Sequence, residues 1–149
     1  MGQVATPDYG RLLAARTQLR EFEHWSAEQA RAQGLTGAQH QLLLAVRGHP
    51  HERGPTIGDI AGYLLVRHHT AGELVDRSED LGLVARLRDP ADRRIVRLEL
   101  TRRGQRILER LATAHAGELE RLADVLREVT RNLTGEPRRA GADREGSSA

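Results

Sequence analysis

A mainly α fold carrying one small β-hairpin is what this sequence predicts, and three observations predict it. Apolar residues recur at helical intervals over most of the chain, they alternate only between residues 83 and 100, and a leucine-rich tract of three-four spacing follows. Helices on both sides of a single hairpin leave no sheet large enough to carry the core.

The elements follow in order. Residues 8–33 set Leu12, Leu13, Leu19, Phe22 and Trp25 at helical spacing, with Gly34 as the stop. A second helix starts at Leu35-Thr36, with Thr36 as N-cap and Leu42, Leu43 and Val46 on its buried side. Glycine and proline at both ends of residues 48–55 mark a loop. Thr56 caps a short helix reaching Tyr63, and another runs from His68 to Leu81, stopped by Gly82. Its apolar side is expected to be Ala71, Leu74, Val75 and Leu81. Arg67 is a poor cap for it, and Gly72 weakens it by about 1 kcal/mol relative to Ala.

After Gly82 the period becomes two. Residues 83–88 and 95–100 read as strands, and Asp89-Pro-Ala-Asp-Arg-Arg94 between them is rich in turn formers, so the pair is a β-hairpin. Thr101 caps a final helical tract. In it Leu108, Leu111, His115, Leu119, Leu122, Leu126, Val129 and Leu133 form an apolar seam like that of a coiled coil, which Gly117 is expected to break or kink. Residues 135–149 are polar, lack an apolar anchor and are expected to be a disordered tail. No internal repeat is visible.

Composition removes whole classes of chemistry. All 23 basic residues among the 149 are Arg, and without Lys there is no phosphate-loop, Schiff-base or kinase lysine. The absence of Cys removes disulfides, thiol nucleophiles, thiolate metal sites and thiol-based oxidant sensing, and it suits a reducing cytoplasm. The longest glycine-free apolar run, from Leu42 to Val46, is far below the roughly 18 residues of a membrane span, so the chain is expected to be cytoplasmic, neither secreted nor embedded in a membrane. Tyr9, Phe22, Trp25 and Tyr63 are the only aromatics, too few for the stacking platforms of single-strand binders. Duplex DNA stays open.

The net charge of +2 conceals an uneven distribution. Residues 83–106 hold eight Arg against three acids, whereas residues 56–82 hold two Arg against five acids. Positive charge gathered on one hairpin is the footprint of a phosphate-contacting element, although an Arg-rich solvated hairpin has the same composition.

Two short helices, a tight turn and a basic hairpin together make a winged helix-turn-helix. A helix about 10 Å across fits the major groove, and an Arg-tipped hairpin reaches the neighbouring minor groove. Leu81-Gly82-Leu83-Val84, Asp89-Pro90-Ala91-Asp92-Arg93-Arg94 and Leu98-Glu99-Leu100-Thr101-Arg102-Arg103-Gly104 resemble, in order and spacing, the wing signature of the MarR-type (multiple antibiotic resistance regulator) family. The helical likeness extends from Leu12 to Leu133 and is most specific between Leu35 and Gly104.

The resemblance implies a homodimeric, ligand-responsive regulator of transcription, most simply a repressor, on a pseudo-palindromic operator in double-stranded DNA. Arg94 then corresponds to the wing-tip arginine and Asp92 to the carboxylate supporting it. Arg67, His68, His69, Thr70, Glu73 and Arg77 are the candidate DNA-binding residues of the recognition helix, and Arg86, Arg88, Arg93 and Arg94 those of the hairpin. Many relatives carry a basic residue where this chain has Glu73, which can accept from cytosine N4 or point away. The expected segments are 1–34 and 107–134 for a dimerisation domain, 35–106 for the winged domain and 135–149 for the tail. Leu12, Leu19, Leu111, Leu119, Leu122, Leu126 and Val129 are the candidate dimer interface, because the seam is longer than one small domain covers. A small-molecule effector is implied, with Phe22, Trp25, His40 and Tyr63 as candidate lining at the domain junction; plain core packing is the simpler reading of each alone.

Two rivals come from other classes. A metal-binding enzyme would use His24, His40 and His115 with Glu23, but no HxxxH or HExxH spacing is present, His49-Pro-His51 lies in a loop, and a lone His on an apolar seam is usually hydrogen-bonded core. Glu79-Asp80 and Asp89/Asp92 lack an accompanying nucleophile and read as solvated surface. No catalytic residue, metal or cofactor is therefore expected. The other rival is a helical interaction module that binds no nucleic acid.

Overall fold

The structure is a computed structural model that describes residues 6–131 and Leu133. Five helices and one hairpin follow in the order α1 (Tyr9–Ala32), α2 (Gly37–Gly48), α3 (Ile57–Leu64), α4 (His68–Asp80), β1 (Val84–Arg88), β2 (Val96–Leu100) and α5 (Arg102–Thr130). Side-chain caps explain most of the starts. Asp8 accepts from the Arg11 amide, Thr36 with Gln39 and Thr56 with Asp59 form reciprocal capping boxes, and Thr101 accepts from the Gly104 amide. At α4 the N-cap is Arg67, and its side chain makes no capping bond.

β1 and β2 pair antiparallel with Val84 opposite Leu100 and Arg88 opposite Val96. A bridge that alternation in the sequence does not reveal, between Thr56 and Arg97, ties the hairpin to the start of α3. Leu42, Leu43, Ile60, Val75, Leu83 and Leu98 are fully buried and join α2, α3, α4 and the hairpin in one core, to which α1 contributes Ala30 and α5 contributes Ile107, Leu108 and Leu111. Two glycines permit this closeness. A Cβ on Gly54, whose φ is +84°, would collide with the Leu98 carbonyl, and one on Gly104 would collide with that of Leu83.

Several expectations need correction. α5 runs through Gly117 without interruption, because one glycine costs only about 1 kcal/mol in a helix held along its length by α1. The expected division between residues 106 and 107 consequently falls inside a continuous helix. Leu111 and Leu122 are buried within the single chain, at 3% and 5% exposure, so they serve the fold of the chain itself rather than lying open as an interface. Leu12, Leu19 and Leu119 are exposed, and Leu126 and Val129 are half-buried. Leu13 and Leu81 also lie exposed; Leu81 sits past the end of α4, where the chain turns away through Gly82 at φ +70°. The expected tail, residues 135–149, lies outside the described residues. Among the described residues no helix is long and apolar enough to cross a membrane.

Candidate nucleic-acid interface

The buried stripe of α4 is Ala71, Leu74, Val75 and Ser78, a three-four spacing that fixes which way the helix faces. Sequence reading missed Ser78 because a hydroxyl looks unsuited to a core; here its Oγ donates to the Leu74 carbonyl at 2.8 Å, which removes the penalty of burial. With that stripe turned inward, Arg67, His68, His69, Thr70, Glu73 and Arg77 all face solvent. Neither Arg67 nor Arg77 makes an ion pair among the described residues.

Two aspartates organise the hairpin. At the tip, Asp92 accepts from Arg94 three times, from its amide at 3.1 Å, Nε at 3.1 Å and Nη2 at 2.9 Å. The fork leaves the Arg94 side chain 90% exposed. The Arg94 hydrogen bonds hold the Asp92 carboxyl below its ordinary range, and Arg94 is correspondingly raised. Asp89 was expected on the solvated surface and is instead buried. It accepts from Arg97 Nε at 2.6 Å, from Arg53 Nη1 at 3.0 Å and from the Ala91 amide at 2.8 Å. These bonds, Arg97 foremost and then Ala91, lower its pKa to about 2. Since Arg97 also donates to the Gly54 carbonyl at 3.0 Å, Asp89 bolts the hairpin to the loop between α2 and α3.

The remaining hairpin arginines differ. Arg86 does not present its guanidinium to a ligand. It donates to Asp76 at 2.6 Å and Glu79 at 2.8 Å, and its pKa is raised chiefly by the Asp76 bond. The acidic excess of residues 56–82 is thereby partly spent on the hairpin. Arg88 donates to the Arg93 carbonyl at 2.9 Å, and both Arg88 and Arg93 are exposed without an ion pair among the described residues.

The residues expected to line an effector pocket do not all meet. Phe22, Trp25 and His40 converge on His115, with ring centroids of Trp25 and His40 lying 4.8 and 4.4 Å from it. His115 faces the acceptor-only Leu111 carbonyl at 2.8 Å through Nδ1, which is therefore the donor there, and Ser26 Oγ at 2.8 Å through Nε2. Burial, then the neighbouring His115, lowers the pKa of His40. Tyr63 stands apart from this cluster, exposed on α3 with its hydroxyl 2.8 Å from His49 Nδ1. His24 also stays outside, on the surface beside Glu28. A groove of about 710 Å³, unanticipated from sequence, opens between the α2–α3 loop and the hairpin, where Val46, Arg47, Arg53, Leu87, Arg88 and Leu98 meet.

Comparison with known proteins converges on this architecture. Residues 33–95 match the MarR family model. An uncharacterized HTH-type transcriptional regulator, YsmB of Bacillus subtilis (strain 168), is 41% identical over 58 residues, which are 39% of this chain and 40% of that protein. The transcriptional activatory protein BadR of Rhodopseudomonas palustris is 36% identical over 81 residues, 54% of this chain and 46% of BadR. The chain thus spans less than half the length of these curated relatives. Among solved structures, an S. aureus MepR–DNA complex superposes with a TM-score of 0.66 at 23% identity, covering 85% of this chain and 94% of that one. A mutant E. coli MarR complexed with operator DNA gives a TM-score of 0.57 at 26% identity, with 83% and 80% covered.

Proposed function

We propose that this chain, whose residues 33–95 match the MarR family model, is a sequence-specific, duplex-DNA-binding regulator of transcription of that family, acting as a homodimer. The carrying observation is that the N-terminal turn of α4 and the Asp92-braced Arg94 are both exposed, with Arg67, Arg77, Arg88 and Arg93 free of ion pairs among the described residues. An α-helix in the major groove beside an arginine in the minor groove reads duplex sequence and shape together. Arg86 is omitted from the contacting set, because its charge is consumed by Asp76 and Glu79.

Dimerisation through α1 and the distal part of α5 is supported by Leu12, Leu19 and Leu119, which are 40%, 40% and 49% exposed in the single chain, with Leu126 and Val129 beside them. Two copies related by a two-fold axis would present two recognition helices to successive major grooves, hence a pseudo-palindromic operator. Ligand response is assigned to the α1, α2 and α5 junction, where Phe22, Trp25 and His40 surround His115. Nothing in this reading requires catalysis or a cofactor, and the site of action is the cytoplasm, where DNA is accessible.

A gel shift with the duplex upstream of the protein's own gene tests the proposal. A salt-sensitive, sequence-selective complex of two chains per site is the expected result; absence of any duplex binding would favour a helical interaction module. We assign repression as the sign of regulation, whereas BadR is activatory by name. A reporter under that promoter separates the two, since expression falls with a repressor and rises with an activator.

A further inference from the structure

Leu65 is the one non-glycine residue with positive φ among the described residues, at φ +55° and ψ +42°. It ends α3, where its own amide and that of Val66 both donate to the Ala61 carbonyl, a closure that ordinarily takes glycine. The left-handed conformation is costly for any residue with a Cβ, and a leucine gains nothing locally from it. Nor does burial compensate, because Leu65 is 91% exposed, the highest exposure among the large exposed hydrophobic residues of the described chain. A strained backbone that holds an apolar side chain in water stands two residues before the Arg67 N-cap of α4, and every residue from Leu65 to Thr70 is exposed.

We infer that Leu65 is a specificity-determining residue that meets a thymine C5-methyl at the edge of the major-groove contact. This rests on the DNA-binding reading above. The occupant is argued from charge and place. Leu65 adjoins Arg67, which is free of ion pairs among the described residues, and the donor-rich first turn of α4, so a polyanion seats there and brings base edges with it. In the major groove the thymine methyl is the apolar group that bases present, and an aliphatic side chain distinguishes it from cytosine, adenine and guanine.

The test uses the full-length dimer and a duplex recovered by it from a random-sequence library. Thymidines in that duplex are replaced singly by deoxyuridine, which removes the methyl and nothing else. Leu65→Gly and Leu65→Asn, both compatible with positive φ, should fold with an unchanged or raised Tm. At one thymidine per half-site, deoxyuridine should weaken binding by the wild type about fourfold, the worth of one buried methyl group, and should leave both variants unaffected. Either variant binding as tightly as wild type, or responding to every deoxyuridine as wild type does, overturns the inference while leaving the regulator reading intact. Recovery of no preferred duplex overturns that reading and this inference with it.

Discussion

Asp89 anchors the hairpin and Arg94 is the residue proposed to contact DNA, and each has its own test. Removing Arg94 takes away a guanidinium whose side-chain hydrogen bonds, among the described residues, go only to Asp92, so Arg94→Ala should leave Tm and the proposed dimer unchanged. Operator affinity should fall about 5- to 150-fold with a salt slope shallower by about one, as fluorescence anisotropy across a salt series would show. Asp89 should behave in the opposite manner. Its pKa of about 2 lies below the ordinary 3.8, so the carboxylate contributes stability that is fully present above about pH 4 and disappears as pH falls through 2. Asp89→Asn should lower Tm at neutral pH and flatten the acid limb of Tm against pH between about 4 and 2; an unchanged acid limb would show that Asp89 does not anchor the wing. Asp92 and Arg94 were legible in the sequence because they lie two residues apart in a turn. Asp89 was not, since its partner Arg53 is 36 positions away and only the folded chain brings them together.

Among the elements, helix starts were legible wherever a threonine supplies the cap, as at α2, α3 and α5. These are local bonds and need no tertiary knowledge. The inner and outer sides of α5 were harder to separate. A three-four leucine spacing marks an apolar stripe without saying whether it meets the same chain or another, and here Leu122 is buried within the single chain while Leu119 is exposed. The two positions should therefore respond differently to the same substitution. Leu122→Glu should cost more than the about 2–5 kcal/mol of a buried leucine truncated to alanine and unfold much of the chain. Leu119→Glu should leave helicity by circular dichroism intact while light scattering reports a monomer. A Leu119→Glu protein that remains dimeric would move the interface off this stripe. Gly117 misled for a related reason, because helix propensity is a weak preference that packing along α1 overrides.

At the scale of the whole molecule, the proposed effector control requires two arrangements of the proposed dimer with different affinities for DNA. Screening aromatic acids by thermal shift and titrating the hits against the operator complex should identify compounds that weaken DNA binding, with DNA weakening the compound by the same factor. Hits that bind without changing operator affinity would detach ligand binding from regulation. His40→Ala should abolish the response if the ligand enters among Phe22, Trp25 and His115. The uninterrupted course of α5 has a mechanical consequence. Beyond its N-cap Thr101, whose hydroxyl donates to the Gly82 carbonyl at the foot of the hairpin, the 29-residue helix Arg102–Thr130 is a rod about 43 Å long. A rod does not absorb a rotation; it transmits it. Tilting one end by about 5° sweeps the other through roughly 4 Å, comparable to the rise of one base pair, so in the proposed dimer a modest change of angle where the two copies would meet becomes a full step of misregistration between the two half-sites.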